Sequence, residues 1–231
     1  MSMFDGILLI NKEKGWTSHD VVAKVRGILK QQAARKVKVG HTGTLDPLAT
    51  GLMIVVVGSY CKRAQEFSKM DKTYEVTMRL GQTSTTGDEE GEKTTINSQI
   101  PPDHTVFDAL EQFIGEIQQV PPAFSAIKVA GKKAYELARE GKEVKLEPRK
   151  VTIYEISDRA HAYPYVHFTT RVASGTYIRS LVEDIGGALG TGAYMSDLRR
   201  TSVGDFELTN AYNIDSFTNK SLTELLIKVA V

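Results

Sequence analysis

Cysteine is all but missing from this chain: Cys61 is the only one in 231 residues. That excludes a disulfide within the chain and a cysteine-built zinc site, and it fits a reducing compartment. No apolar run approaches the roughly 20 residues that cross a bilayer as a helix. The first ten residues lack the basic flank of a secretory signal. An excess of one charge is missing too. With 29 Lys and Arg against 28 Asp and Glu, overall charge identifies no partner, so any nucleic-acid surface must come from local clustering. There is no phosphate-binding glycine loop, no dinucleotide fingerprint, no metal-ligand spacing among the five scattered histidines, and no internal repeat or low-complexity linker.

What is present is a chain long enough for one large domain or two small ones. Gly6 to Asn11 reads as a buried strand, followed by a turn. Thr17 or Ser18 then caps a helix whose Val21, Val22, Val25, Ile28 and Leu29 recur at helical spacing. Leu52 to Val57 is an apolar run, and a short polar helix is expected around Lys62 to Phe67. From Tyr74 to Leu80 the alternation is strict, with Tyr74, Val76, Met78 and Leu80 on one face. Gly81 to Ser98 reads as an exposed polar loop whose Asp88-Glu89-Glu90 run argues against RNA contact. Helices are expected over Thr105 to Ile114 and from Ile178 to Leu189, strands over Arg149 to Asp158 and Tyr165 to Ala173, and a closing segment over Thr209 to Phe217. A last amphipathic helix is expected over Ser221 to Val229.

The stretch Gly40 to Gly51 organises the rest. It holds three glycines, a proline and a single carboxylate, Asp46. Glycines at 40, 43 and 51 allow unusual backbone angles and close approach, and Pro47 restricts Asp46 from the helical region. Spacing alone leaves two readings open: an aspartate opening an ordinary turn, or a rigidly displayed catalytic carboxylate. Other residues are similarly double. Tyr74 is core packing or an active-site ring. Arg179, in the first turn of its helix, opposes the helix dipole and needs an anion, for which Glu183 stands one turn on. The basic run Arg35 to Val39 is a solvated face or a phosphate contact. Basic residues and aromatics interleave from Phe124 to Lys145, the composition of a surface that meets phosphates and bases.

A set of motifs resembles those of the TruB family of pseudouridine synthases, in the family's order and over about Gly6 to Phe217. Lys12 to Ser18 is similar to a structural motif that supports the catalytic loop. Gly40 to Gly51 meets every fixed position of G-H-x-G-x-L-D-P-x-A-x-G. Lys72-Thr73-Tyr74 resembles the active-site tyrosine motif, and Gly175 to Arg179 matches G-T-Y-I-R, although Val172-Ala173-Ser174 departs from the residues usual before it. Pro121 to Lys128 with Gly131 to Gly141 resembles an RNA-gripping insertion. Leu198 to Phe206 completes the set.

The resemblance implies an α+β pseudouridine synthase fold: a central mixed, mainly antiparallel sheet flanked by helices and loops. It implies one catalytic domain over 1–231, with the insertion at about 118–147, and a chain that stops too soon for a C-terminal PUA domain, hence a weaker grip on the acceptor side of tRNA. Asp46 would attack C1′ or take a ribose proton, Arg179 would pair with it, and Tyr74 would stack on the flipped-out base. His41, Tyr177, Leu198, Lys128 and Lys132 would bind substrate, with His41 open to a purely structural reading. The substrate would be the T-arm stem-loop of tRNA, with no cofactor, metal, membrane or protein partner, and the enzyme a cytoplasmic monomer. An inactive RNA-binding or RNA-folding protein, or a guide-RNA-dependent synthase subunit, are the competing readings. A retaining glycosidase would need a second carboxylate in a matching site.

Overall fold

The computed structural model describes residues 3–33, 36–125, 127–129, 131–142, 144–214 and 222–229. Arg35 of the basic run, Ala126 of the insertion motif, the end of the 209–217 segment and Ser221 lie outside them. In chain order the elements are β1 (Gly6–Lys12), α1 (Ser18–Ala33), β2 (Val39–His41), β3 (Thr50–Val57), a 3₁₀ turn (Gly58–Arg63) and α2 (Ala64–Ser68). There follow β4 (Lys72–Leu80), β5 (Gln82–Ser84), β6 (Lys93–Thr95), α3 (Asp103–Glu111), β7 (Gly115–Gln119), β8 (Lys128–Val129), β9 (Lys132–Lys133) and α4 (Ala134–Arg139). The chain continues through β10 (Arg149–Ala162), β11 (Tyr165–Val172), α5 (Ile178–Ala188), β12 (Ala193–Val203), β13 (Phe206–Glu207), β14 (Tyr212–Asn213) and α6 (Leu222–Leu225). The architecture is α+β, with mixed, mainly antiparallel sheet flanked by helices.

Two compact units divide the chain: Met1–Tyr74 with Leu198–Val231, and Glu75–Asp197. In the first, the strand order is β14-β1-β3-β12, with β2 also on β3 and β13 on β12. Strand β3 runs antiparallel to β1 and parallel to β12. Both faces of β1 and β3 are covered, which is why they read as continuous apolar runs rather than alternating ones. Leu8, Ile10, Met53, Val55 and Val57 pack with Val21, Val22, Val25 and Leu29 of α1, while Ile7, Leu9, Ile54 and Val56 pack with Tyr60 and Phe67. Thr17 caps α1: its hydroxyl accepts the Asp20 N–H at 3.1 Å and its own N–H donates to the Asp20 carboxylate at 2.9 Å.

In the second unit β4, β11, β10 and β7 follow one another, and the strands alternate because only one face is covered. Val76, Met78, Leu80, Val166, Phe168 and Val172 are buried, as are Val106 and Leu110 of α3 and Leu181, Val182 and Ile185 of α5.

The short helix expected around Lys62 to Phe67 is present as α2, preceded by a 3₁₀ turn that starts at Gly58. Three expectations are corrected. Helix α3 stops at Glu111, so Ile114 stays exposed beside Gly115, whose φ is +112°. The last helix is a single turn, after which Ile227 bridges to Ile7. The 81–98 segment is not an exposed loop: β5 pairs with β6 and Asp88 is buried. Strands of three residues are too short to show alternation, which is why the pattern concealed them.

Of the three loop glycines, only Gly51 has positive φ, at +99°. A Cβ there would lie 2.3 Å from the Arg200 carbonyl oxygen, a main-chain atom fixed by strand pairing. Gly51→Ala therefore combines left-handed strain with a backbone clash, and we expect a stability loss of about 3 kcal/mol or more, read as a lowered urea midpoint. Gly40→Ala, whose Cβ would meet only a Val56 methyl at 3.6 Å, is the control.

Candidate active site

Asp46 sits half-buried in a loop whose main chain is held on both sides of it. Before it, the Ser18 hydroxyl accepts the Leu45 N–H at 2.8 Å and donates to the Leu45 carbonyl at 2.9 Å. After it, the Pro47 carbonyl accepts the Gly15 N–H at 2.8 Å and lies 3.5 Å from the Lys12 ammonium. The Asp46 carbonyl accepts the Ala49 N–H at 3.1 Å, closing a turn with Pro47 at its second position. The segment Lys12 to Ser18 thus packs against the loop through backbone and side-chain bonds alike. Such bracketing removes the freedom of the backbone that carries the carboxylate, as a preorganised nucleophile requires.

Two buried cations lie under the loop. Lys12, 1% exposed, donates to the carbonyls of Trp16 at 2.7 Å and Glu13 at 3.1 Å. Burial pushes its ammonium down to about 8, Asp46 opposes that shift, and the Arg200 charge adds to it. Arg200, 2% exposed, donates through Nε to the Leu52 carbonyl at 2.7 Å and through a terminal nitrogen to the Gly43 carbonyl at 3.2 Å. His41, on β2, stands edge-on to His19 with ring centroids 6.5 Å apart. Burial lowers its pKa, with help from His19 and Arg200, which favours a neutral ring near neutral pH. Its Nδ1 is buried without a hydrogen-bond partner.

The Lys12 shift carries a stability prediction. The unfolded lysine holds its proton up to about 10.5, the folded one only to about 8. Within that window the unfolded chain binds more protons, so the contribution of this group rises with pH, and below it the buried charge is a constant cost. We expect the urea midpoint of the wild type to gain on that of Lys12→Met between pH 8 and pH 10. A gap that stays constant across the window would refute the burial account.

Tyr74, 8% exposed, faces the core side of β4, and next to it the Thr73 hydroxyl accepts from Ser202 at 2.8 Å. Leu198 is also buried, and its carbonyl lies 3.5 Å from the Thr50 hydroxyl, at the end of the Asp46 loop. Asp46, His41, Tyr74 and Leu198 therefore belong to the first unit, and Arg179, Tyr177, Lys128 and Lys132 to the second.

Arg179 is 7% exposed in the first turn of α5 and draws two loops together there. Its guanidinium donates to the Phe124 carbonyl at 2.8 Å and the Thr86 carbonyl at 3.1 Å, and its Nε lies 3.9 Å from the Asp88 carboxylate. Glu183, one turn on, is held above the usual carboxylate range by burial, with Arg179 pulling the other way. Tyr177 is fixed by the Gln119 amide, which accepts its N–H at 2.8 Å and donates to its carbonyl at 3.1 Å. Lys128 and Lys132 lie exposed on the two-stranded β8–β9 hairpin, Lys132 being 3.8 Å from Glu140.

Sequence reasoning missed Asp88, Gln119 and Arg200 as site residues. Arg200 had a signal: Leu198, Arg200 and Ser202 share one face of β12, so the arginine turns inward with the leucine. Asp88 had none, being one of three consecutive acidic residues in a polar stretch.

The pattern of the TruB family pseudouridylate synthase N-terminal domain matches residues 26–178, and that of the tRNA pseudouridylate synthase B C-terminal domain matches residues 179–226. A tRNA pseudouridine synthase B of Cupriavidus metallidurans is 46% identical over 213 residues, covering 91% of this chain and 66% of that protein. One from Burkholderia mallei is 44% identical over 212 residues, covering 92% and 68%. Among solved structures, a chain of a Cbf5-Nop10-Gar1 complex superposes with a TM-score of 0.70 at 30% identity, over 93% of this chain and 55% of that one. A chain of an H/ACA RNP bound to a substrate RNA gives 0.67 at 29% identity, over 92% and 52%. The chain belongs to the TruB family of pseudouridylate synthases. It spans about two thirds of the length of these curated relatives.

Proposed function

We propose that this chain isomerises the T-loop uridine of tRNA to pseudouridine, with Asp46 as the reacting carboxylate. The observation that carries the reading is the Asp46 loop itself, a family motif whose backbone is bonded on both sides of the one carboxylate it presents. The N1–C1′ bond breaks, the uracil turns, and C5 bonds to C1′ while the C5 proton leaves and N1 regains one. Atoms balance without an oxidant, a phosphate donor or a metal. Asp46 supplies the anion, by attack at C1′ or by removing a ribose proton. Tyr74 stacks on the extruded base. His41, Tyr177 and Leu198 line the nucleotide. Lys128 and Lys132 grip stem phosphates from the 118–147 insertion within a single catalytic domain.

The higher identity to tRNA pseudouridine synthases B than to the chain of the H/ACA RNP favours tRNA over a guided substrate. On this reading the enzyme acts as a monomer in the cytoplasm, without a protein partner. The test is tritium release from [5-³H]uridine in an unmodified tRNA transcript. Release that disappears when the T-loop uridine alone is replaced by cytidine supports the proposal. Release that persists, or a wild-type chain that binds the transcript and releases nothing, refutes it.

A further inference from the structure

Lys12, Gly51 and Arg200 form one row across β1, β3 and β12: Gly51 is in register with Lys12 on one side and with Arg200 on the other. Strands about 4.8 Å apart put the α-carbons of the two cations roughly 10 Å from each other, with a residue lacking a side chain between them. Arg200 is the one that spans the loop. Its Nε bonds to Leu52, just past Gly51, and its terminal nitrogen reaches Gly43, three residues before Asp46. The carbonyls on either side of Asp46 are therefore joined through a single planar group. A Cβ on Gly43 would come within 3.4 Å of the other terminal nitrogen. Among the described residues the Arg200 hydrogen bonds all go to carbonyl oxygens, and no carboxylate is within ion-pair distance of it.

A guanidinium suits this task and an ammonium does not. Burying a cation among carbonyls is expensive, and a core strand facing a loop could be filled by Leu or Met at less cost. What the arginine supplies is a rigid fork with donors in fixed directions, long enough to hold two segments of the loop at once. At 2% exposure it is out of reach of RNA, so its effect must pass through the loop.

We propose that Arg200 is a positioning residue for the reaction: by tying Gly43 to Leu52 it sets the mouth of the loop and so the placement of Asp46 against the ribose. The proposal rests on the reading of Asp46 as the reacting group. The experiment is single-turnover tritium release at saturating tRNA transcript, with RNA affinity and urea midpoint measured on the same preparations, for wild type, Arg200→Lys and Gly43→Ala. Arg200→Lys keeps the charge and loses the fork. Its rate should fall about 10- to 100-fold, since misplacement on the order of 1 Å costs that much. RNA affinity should stay within about twofold. Gly43→Ala, which disturbs only one arm of the clamp, should fall in the same direction by less, and it serves alone if Arg200→Lys does not fold. Wild-type rates in the folded variants at saturating RNA, with only the urea midpoint lowered, would reduce Arg200 to structural glue and overturn the proposal. So would a loss confined to RNA affinity. A wild-type chain without activity would instead sink the assignment of Asp46.

Discussion

Asp46→Asn is expected to abolish tritium release, by at least about a thousandfold, because an amide neither attacks C1′ nor takes a ribose proton. The same variant should fold and bind RNA as the wild type does. The loop is held through main-chain atoms of Gly43, Leu45, Pro47 and Leu52, contacted by Arg200, Ser18, Gly15 and Lys12, so replacing one carboxylate oxygen by an amide nitrogen leaves those bonds in place. Removing a negative charge can only ease the approach of a polyanion, so affinity for a tRNA transcript should be unchanged or slightly tighter. The measurements are single-turnover release and filter binding on one preparation. Residual release within tenfold of the wild type would remove Asp46 from the chemistry. Loss of binding together with loss of release would mean that the aspartate holds the loop rather than reacting.

The loop was legible because its signal is local: three glycines, a proline and one carboxylate in twelve residues name a constrained turn, and the family pattern names its chemistry. The two-faced burial of β1 and β3 was equally readable, since runs such as Leu8-Leu9-Ile10 and Ile54-Val55-Val56-Val57 leave no polar face to expose. What holds the loop was not readable in the same way. Ser18 meets Leu45 across 27 positions and Arg200 meets Gly43 across 157, and contacts at such separation leave no periodicity behind. Lys12 could be named as part of a motif, but nothing in its neighbours Asn11 and Glu13 says that its ammonium ends among three carbonyls. Asp88 was misread outright. Charged residues in a polar, glycine-containing stretch are usually solvated, and only the fold reveals that this one turns inward while Glu89 and Glu90 stay outside.

The inward turn of Asp88 makes Arg179→Met the second large effect. Arg179 is a permanent cation, nearly closed off, with the buried Asp88 at 3.9 Å and Glu183 one turn on within its field. Taking it away leaves two carboxylates without their cation and strips the Thr86 and Phe124 carbonyls of a donor. Breaking the buried Arg179–Asp88 pair from one side costs about 3 to 5 kcal/mol, which for a chain of this size is a melting temperature lower by about 10 °C. The pH dependence fixes the cause. Burial already holds Glu183 above the usual carboxylate range against the pull of Arg179, so without the arginine its folded pKa rises further. The folded variant then binds more protons than the unfolded chain between the ordinary carboxylate pKa and the raised one. Its stability falls as pH climbs through that window, and the deficit is smallest in acid. The gap between wild type and Arg179→Met should therefore widen from pH 5 to pH 7. Asp88→Asn, which removes a charge but keeps an oxygen, should cost less alone, and adding it to Arg179→Met should recover part of the loss, a coupling that a double-mutant cycle measures. If the gap is the same at both pH values and the two substitutions simply add, the electrostatic account of Arg179 fails.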